Sequence, residues 1–381
     1  MTGAKSAEKV TFVFIGPLHT RGRLLKQIST LQQAGVTCDL ILGNSDDKEP
    51  NPADYEFPIT SIHVNLDSGK LNSFVNQMRF CRRAAKLISK SDADTIVCLA
   101  LESLMAGVWA KKKNGDLRLI FDSNELHIEC MGNSAKALIW KPIHNHGIQC
   151  CDTIIHAENN RMNHFKSHYP AKHVPQLVIE NFPDKIEQSD RNEVPDNETR
   201  LVYLGGFGEG RFTREIISAF SELPANYQLD IIGSGRPDFV ASMRQHLENL
   251  NATNVRILPQ IAYKDIPSTL RNYHIGLAFY RNINLNNYYC APNKIYDYLM
   301  NGIPVITNDY PGLISVIESN QVGACIKTID SNHILEAIEE IRKGSMWDNI
   351  TKELHDRYCW QSQTKKYLEA FAIHQTSPKP N

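Results

Sequence analysis

The sequence predicts an α/β protein that contains two doubly wound parallel sheets. Three observations lead to this prediction. Short apolar runs alternate with amphipathic helical segments, a polar stretch with two prolines interrupts the alternation, and the same alternation then begins again. Apolar runs without polar alternation are typical of parallel strands that helices cover on both faces. The 381 residues are enough for two such domains.

The apolar runs define the predicted strands of each half. In the first half they are residues 10–15, 38–42, 95–99, 117–121 and 153–156, and in the second half 201–204, 228–233, 255–258, 275–278 and 305–307. The prolines and charges near residue 190 indicate a linker. The predicted organisation is therefore a first domain at 1–185, a linker at 186–198, a second domain at 199–345, and amphipathic helices at 346–381.

The most informative run is 291–306, which combines a helix start, a helix stop and a buried strand. Pro292 suits the first turn of a helix, and Gly302 suits the left-handed conformation at its end. Lys294 and Asp297 are ionisable groups on this short helix. Its N-terminus carries free backbone N–H groups and a partial positive charge, which suit a phosphate.

This run, N-K-x-x-D-Y-L-x-x-G-x-P-V, resembles the nucleotide-sugar motif of retaining glycosyltransferases with the GT-B fold, the group 1 or family 4-like enzymes. The resemblance implies two Rossmann-like domains that face each other across a cleft. The first would bind the acceptor and the second the nucleotide-sugar donor, and the C-terminal helices would return to the first domain. The resemblance covers most of the chain and is strongest from residue 201 to residue 367.

The predicted donor site combines this helix with a glycine-rich loop at 205–210 that follows a strand. Arg211 stands where the family usually has a lysine that contacts the diphosphate, and an arginine fork also suits phosphate oxygens. Asp297 is the predicted ribose ligand, while Lys294 either neutralises phosphate or reaches solvent. The predicted donor-binding residues are Gly205, Gly206, Gly208, Arg211, Gly233, Ile261, Pro292, Asn293, Lys294 and Asp297.

Two positions depart from the family pattern. The E-x(7)-E pair of glutamates would need an acid at position 289, where this chain has Tyr289. In the segment that resembles D-x-H-E-L, Asn124 replaces the histidine, while Asp122 and Glu125 remain. Asp122 and Glu125 are expected to face the cleft where acceptor hydroxyls arrive, although an Asx-type turn at Asp122 or Ser123 is an alternative.

The polar loop at 19–23 follows the first predicted strand and is expected to border the same cleft. There, Arg21 or Arg23 is expected to balance the charge of the donor or to hold an anionic acceptor.

The resemblance implies transfer of a sugar from a nucleotide-diphosphate donor to an acceptor hydroxyl, with retention of the anomeric configuration. Arg211, Asp297, Glu125 and Lys294 are the predicted catalytic residues, and no metal or cofactor is needed beside the donor. Two alternatives stay open. One is a non-catalytic subunit that binds glycan or stabilises a partner transferase, and the other is a sugar-nucleotide epimerase on the same fold.

Charge and cysteine content bear on partners and location. The net charge of −1 gives no indication of nucleic-acid binding, and nine scattered cysteines without a C-x-x-C pair suggest reduced thiols and a cytoplasmic protein. No secretory signal or membrane-spanning run is expected. The basic residues of a predicted helix at 72–90, and Lys111 to Lys113, could rest on anionic lipid at the inner face of a membrane or form an ordinary solvated surface. The predicted acceptor is a glycan or lipid-linked glycan in bacterial surface polysaccharide assembly.

Overall fold

The computed structural model describes residues 7–18, 21–44, 51–66, 69–186, 197–290 and 292–373. These residues form two compact units. One runs up to Glu180 and resumes at Gln363, and the other runs from Asn181 to Ser362. His19 and Thr20 of the predicted cleft loop, residues 187–196 of the predicted linker, Ala291 of the helix motif and residues 374–381 lie outside the described residues.

The first unit contains a parallel sheet with helices between its strands. Its elements are β1 (Lys9–Ile15), α1 (Gly22–Gln33), β2 (Thr37–Asn44), β3 (Ile59–His63), α2 (Lys70–Ile88), β4 (Thr95–Leu99), α3 (Leu101–Lys113), β5 (Arg118–Ser123), α4 (His127–Met131), α5 (Ala135–Gln149), β6 (Thr153–His156), α6 (Asn159–His168) and β7 (Gln176–Val178). The strand order is β3-β2-β1-β4-β5-β6-β7. The central strands are largely buried, as their apolar runs predicted, whereas β3 and β7 at the two edges were not predicted.

The second unit repeats this design. Its elements are β8 (Thr199–Leu204), α7 (Thr213–Ser221), β9 (Tyr227–Gly233), α8 (Pro237–Asn249), β10 (Val255–Pro259), α9 (Ile266–Leu270), β11 (Ile275–Ala278), α10 (Leu285–Tyr288), α11 (Asn293–Met300), β12 (Val305–Asn308), α12 (Pro311–Ile317), β13 (Gly323–Ile326), α13 (Ser331–Lys343) and α14 (Lys352–Arg357). The strand order is β10-β9-β8-β11-β12-β13. The order reverses between β8 and β11, and ligands of such sheets bind beyond the carboxyl ends of the strands at this point.

The last described helix, α15 (Gln361–Glu369), carries the chain back into the first unit. The Arg118 guanidinium of β5 donates to the Ala370 carbonyl at 2.7 Å, and the Ala7 N–H donates to the Phe371 carbonyl at 3.2 Å. Tyr367 and Phe371 are fully buried in that unit. Within the segment 346–381, α14 instead packs in the second unit, because Leu354 joins its apolar core.

The prediction of two doubly wound parallel sheets is confirmed, because all the strand pairs in both sheets are parallel. In the part of the chain that the structure describes, none of the helices has the length and apolar character needed to cross a membrane.

Candidate functional site

The glycine-rich loop lies at the carboxyl end of β8, where the strand order of the second sheet reverses. Gly205 has a φ of 126°, a conformation that strains any other residue. A Cβ atom on Gly233 would lie 1.8 Å from the Gly205 carbonyl oxygen, so the end of β9 passes against this loop only because residue 233 is glycine. These two glycines therefore shape the loop.

The loop offers several backbone donors to a ligand. The Gly205 and Phe207 N–H groups are already paired, with the Ile232 and Ser234 carbonyls at 2.9 and 2.7 Å. By contrast, the N–H groups of residues 206, 208 and 210 have no acceptor among the described residues. Gly205 and Gly206 are also solvent-exposed. Fewer backbone N–H groups are thus available to a ligand than the sequence analysis predicted, because it treated the whole loop at 205–210 as a donor of hydrogen bonds.

Helix α11 is fixed to the sheet by a buried tyrosine. The Leu204 N–H donates to the Tyr298 hydroxyl at 2.8 Å, and this hydroxyl lies 3.3 and 3.2 Å from the Val202 and Leu277 carbonyls, so it can donate to one of them. A Cβ atom on Gly276 would lie 2.3 Å from the Tyr298 ring, so β11 makes room for the ring with a glycine. Tyr298 therefore sets where α11 presents the side chains of its first turns.

Lys294, in the first turn of α11, turns inward and does not reach solvent. Its Nζ atom is buried, has no hydrogen-bond partner among the described residues, and lies 3.9 Å from the centroid of the Tyr203 ring and 5.4 Å from that of Tyr280. Burial lowers the pKa of this amine well below its ordinary value, and the nearby Arg211 lowers it further. Of the two roles left open by the sequence, the solvent-facing one is therefore wrong.

Arg211 shares an aromatic surface with Lys294. Its guanidinium carbon lies 4.1 Å from the centroid of the Tyr280 ring, and its Nη1 donates to the Gly210 carbonyl at 3.0 Å. Two cationic side chains thus meet at Tyr280, next to the exposed part of the glycine-rich loop. Such an arrangement is unfavourable without a counter-ion and suits a ligand with more than one negative charge.

Asp297 lies one turn further along α11 and is half-buried. The Tyr263 hydroxyl, on the segment after β10, lies 3.5 Å from its Oδ1 atom. Asn293, the first residue of α11, is exposed and accepts a hydrogen bond from the Asn181 side chain at 2.9 Å. Pro292 is the N-cap residue of this helix, directly before its first turn.

Two further loops border this region. Ile261 is half-buried in the segment after β10, where the neighbouring Gln260 accepts a hydrogen bond from Ser234 at 2.7 Å. The loop that contains α10 contacts the glycine-rich loop, because the Arg281 N–H donates to the Gly210 carbonyl at 3.1 Å. Tyr289, at the position where the family has an acid, ends α10, and its ring lies 5.1 Å from that of Tyr288.

In the first unit, the structure corrects two expectations. Asp122 is 1% exposed and accepts hydrogen bonds from Arg23 at 3.0 and 3.1 Å and from Gln27 at 2.6 Å. It therefore does not face acceptor hydroxyls. Arg23 lies on the buried face of α1 and also donates to the Ile179 carbonyl at 2.6 Å, so it is not available for an anionic ligand. Asp122 and Arg23 are both buried, and a buried charge needs a partner of opposite charge. The two side chains therefore pair with each other and not with a ligand.

Glu125 and two nearby polar residues are placed differently from Asp122, which is buried and paired. Glu125 is exposed in the connection from β5 to α4. The Asn124 side-chain oxygen and the His127 Nε2 atom are buried without a hydrogen-bond partner among the described residues. Glu125 thus stays a candidate for contact with an acceptor, next to two polar groups whose hydrogen-bonding capacity is unused.

The sequence analysis missed the tyrosines that organise the donor side. Tyr203 and Tyr280 form the aromatic surface beneath the two cations, and the Tyr203 hydroxyl donates to the Gly206 carbonyl at 3.2 Å. Tyr203 stands in a continuous apolar run, where its hydroxyl gave no separate signal. Tyr280 lies two residues beyond the end of the predicted strand 275–278, and an aromatic residue near that end was the one available clue.

Comparison with known proteins agrees with this geometry. Residues 184–353 match the family described as glycosyl transferases group 1. Among curated proteins, none matches the sequence.

Solved structures similar to the chain include sucrose-phosphate synthase from Thermosynechococcus elongatus, which is 14% identical with a TM-score of 0.74 over 96% of this chain and 98% of that one. The Anabaena protein HepE in complex with UDP and glucose is 15% identical, with a TM-score of 0.70 over 96% of this chain and 99% of that one. The lipopolysaccharide outer core galactosyltransferase WaaB is 14% identical, with a TM-score of 0.69 over 95% of this chain and 99% of that one. At these identities the likeness establishes the fold.

Proposed function

We propose that this protein transfers a sugar from a nucleotide-diphosphate sugar to an acceptor hydroxyl with retention, because residues 184–353 match the group 1 glycosyl transferases and the chain has a GT-B fold. One observation carries this proposal. The buried, unpartnered Lys294 ammonium and the Arg211 guanidinium meet at Tyr280, beside the exposed glycine-rich loop. Among the described residues neither cation forms an ion pair, and a diphosphate would neutralise their charge.

The donor would bind with its diphosphate against Lys294, Arg211 and the free loop N–H groups. Asp297 would accept hydrogen bonds from the ribose hydroxyls, since a carboxylate is an acceptor for two such groups. The Tyr263 hydroxyl, 3.5 Å from Asp297, would stay beside the ribose. The backbone would approach the phosphates closely at four glycines, Gly205, Gly206, Gly208 and Gly233. The nucleotide would be bordered by Ile261, Pro292 and Asn293.

Catalysis would rest on stabilising charge as the diphosphate departs. The bond between the anomeric carbon and the phosphate oxygen breaks, and the bond to the acceptor oxygen forms on the same face. The acceptor hydroxyl gives its proton to the departing phosphate oxygen, so no protein nucleophile is required. Fixed cations and N–H groups that face the developing charge lower the barrier of such a reaction more than other groups do. We propose that the reaction proceeds without a metal, because these cations and N–H groups would offset the charge of the departing diphosphate.

The test is a thermal-shift screen of UDP, GDP, dTDP, CMP and ADP, each with and without magnesium. UDP is the first candidate, because the similar HepE structure contains UDP and glucose. A nucleotide at 100 times its dissociation constant should add about 2.7 kcal/mol of stability. Arg211→Ala should abolish the shift, while Arg214→Ala, on the exposed face of α7, should leave it unchanged.

Two outcomes would change the proposal. A nucleotide shift that requires magnesium would contradict the metal-independent part. If none of the five nucleotides stabilises the protein, a non-catalytic subunit becomes the better description, and a search for a partner protein follows. Anomeric configuration is read by NMR of the product once the donor is known, and an inverted product would reject retention.

The acceptor is proposed to be a glycan or a lipid-linked glycan in bacterial surface polysaccharide assembly, with the exposed Glu125 as one contact. The similar WaaB structure, a lipopolysaccharide outer core galactosyltransferase, supports this class of acceptor. A panel of lipid-linked and free oligosaccharides, assayed with the donor that the screen identifies, tests it. Turnover of the donor without any acceptor would instead indicate an epimerase.

Contact with an anionic membrane, from the cytoplasmic side, is the second proposed partner. Along α2, one exposed stripe begins with Leu71 and Val75, which are 69% and 37% exposed, and continues with basic residues. Apolar residues followed by cations suit the boundary between acyl chains and headgroups. Flotation with anionic and neutral liposomes tests this contact, and absence of binding to anionic liposomes at low salt would reject it.

A further inference from the structure

A groove of about 570 Å³ lies in the first unit between β3, at the edge of the sheet, and the last turns of α2. Ile62 of β3 and Leu87 of α2 supply its apolar lining. Arg83, Lys86 and Lys90 line it with three cationic groups. The groove belongs to neither the donor residues nor Glu125, so the proposed transfer reaction does not account for it.

The charge around this groove is exceptional for the chain. Residues 57–91 contain six lysines or arginines and one aspartate, a net charge of +5, in a protein whose overall net charge is −1. None of the ion pairs among the described residues includes Arg83, Lys86 or Lys90. Arg83 and Lys86 are three residues apart on α2, and Lys90 follows two residues after the end of this helix, so three like charges that repel one another line the same groove. An anion bound in the groove would remove this repulsion.

A polar group in the groove has unused hydrogen-bonding capacity. The Ser61 Oγ atom on β3 is buried and has no hydrogen-bond partner among the described residues, and Ser61 lines the groove beside His63. A hydroxyl of this kind can donate to a phosphate oxygen while the cations balance its charge. Lysines also protect an exposed edge strand from pairing with another chain, which explains their presence beside β3. That protective role does not account for the groove or for the unpaired serine.

We propose that this groove binds a phosphate-bearing ligand, with Arg83, Lys86 and Lys90 around the phosphate, Ser61 as a hydrogen-bond donor, and the apolar lining against the rest of the ligand. Two sources present this chemistry: the headgroup of an anionic phospholipid, and a soluble phosphate or diphosphate. The site goes beyond the proposed transfer reaction and does not depend on it.

The experiment has one arm for each source. Isothermal titration calorimetry measures inorganic pyrophosphate binding to the Arg211→Ala protein, in which the proposed donor site no longer contributes. Cosedimentation measures binding to phosphatidylcholine vesicles with and without phosphatidic acid, at 0.15 M salt. Each arm compares Lys86→Glu with Lys172→Glu, which makes the same charge change at an exposed position between α6 and β7 of the same unit. Ser61→Ala is a second groove variant that keeps every charge.

We expect Lys86→Glu to weaken binding by about tenfold or more, and Lys172→Glu to change it less than about twofold. This pattern with pyrophosphate supports a soluble source, and the same pattern with vesicles alone supports a lipid headgroup. Absence of binding in both arms, or equal losses in the two charge variants, would overturn the proposal. The nucleotide shift of Lys86→Glu is measured in parallel, so failure of the groove and failure of the donor site are distinguishable.

Discussion

Replacing Lys294 by methionine should stabilise the ligand-free protein while abolishing nucleotide binding. The lysine places an amine with no hydrogen-bond partner among the described residues in a buried position, next to another cation. Burying an unpaired charge costs several kcal/mol, and the contact with the Tyr203 ring returns about 2 kcal/mol of that cost. Methionine fills the space of the lysine stem without the amine.

The expected gain for Lys294→Met is about 2 kcal/mol at pH 7, because a buried polar group without a partner costs about 1–3 kcal/mol. For a unit of this size, that gain raises the Tm by about 4–8 °C. The direction in which the stability of the wild-type protein changes with pH follows from proton binding. Below pH 10.5 the unfolded chain binds a proton at Lys294 that the folded chain holds less tightly, so wild-type stability rises with pH between the lowered pKa and 10.5. The advantage of the variant therefore narrows as the pH approaches 10.5.

Differential scanning calorimetry between pH 7 and 9.5, with and without UDP, measures these effects. The relevant unfolding transition is the one whose Tm rises when nucleotide is added to the wild-type protein. Lys327→Met, at an exposed position of the same unit, should change stability by less than about 0.5 kcal/mol. With nucleotide the order should reverse, because the phosphate supplies the missing partner only to the lysine. The reasoning is refuted if Lys294→Met lowers the stability of the ligand-free protein at pH 7 by about 1 kcal/mol or more.

Three further substitutions test other parts of the fold. Tyr298→Phe removes the acceptor of the Leu204 N–H at 2.8 Å and should cost about 1–3 kcal/mol in urea denaturation; an unchanged midpoint would contradict the role given to this hydroxyl. Gly233→Ala places a Cβ atom 1.8 Å from the Gly205 oxygen and should cost about 3 kcal/mol or more, so a loss below about 1 kcal/mol would mean that the loop moves freely. Burial raises the pKa of Glu180 to about 7, so the folded protein gains stability from its protonated form as the pH falls from 7 towards 4.5. Glu180→Gln should therefore be stabilising at pH 8 by about 1–3 kcal/mol and neutral near pH 4.5, and a gain that is the same at both pH values would reject this explanation.

The central strands of both sheets could be predicted because each is a run of apolar residues buried on both sides. β3 and β13 escaped prediction for a related reason. β3 mixes apolar residues with Thr60, Ser61 and His63 at a partly exposed edge, and β13 is four residues long and begins with glycine. Whether such a segment forms a strand depends on pairing with an adjacent strand, and its sequence pattern does not contain that information.

In the donor site, the spacing of the helix motif predicted which residues would gather, but not where each side chain would point. Helical periodicity alone allowed Lys294 to face inward or outward, and the choice depends on the Tyr203 ring, which comes from a strand about ninety residues earlier. Asp122 shows the same limit. Its place after a buried strand suggested an open carboxylate, and only the tertiary structure brings Arg23 to it.

The C-terminal return of the chain has a consequence for biosynthesis. Residues 363–373 supply Tyr367 and Phe371 to the interior of the first unit, yet the ribosome makes them after the whole of the second unit. The second unit is contiguous and can close while translation continues, whereas the first must wait with part of its apolar interior uncovered. A nascent chain interrupted near residue 360 would therefore carry a nearly complete second unit together with an unfinished first unit, which would expose apolar surface to chaperones and proteases.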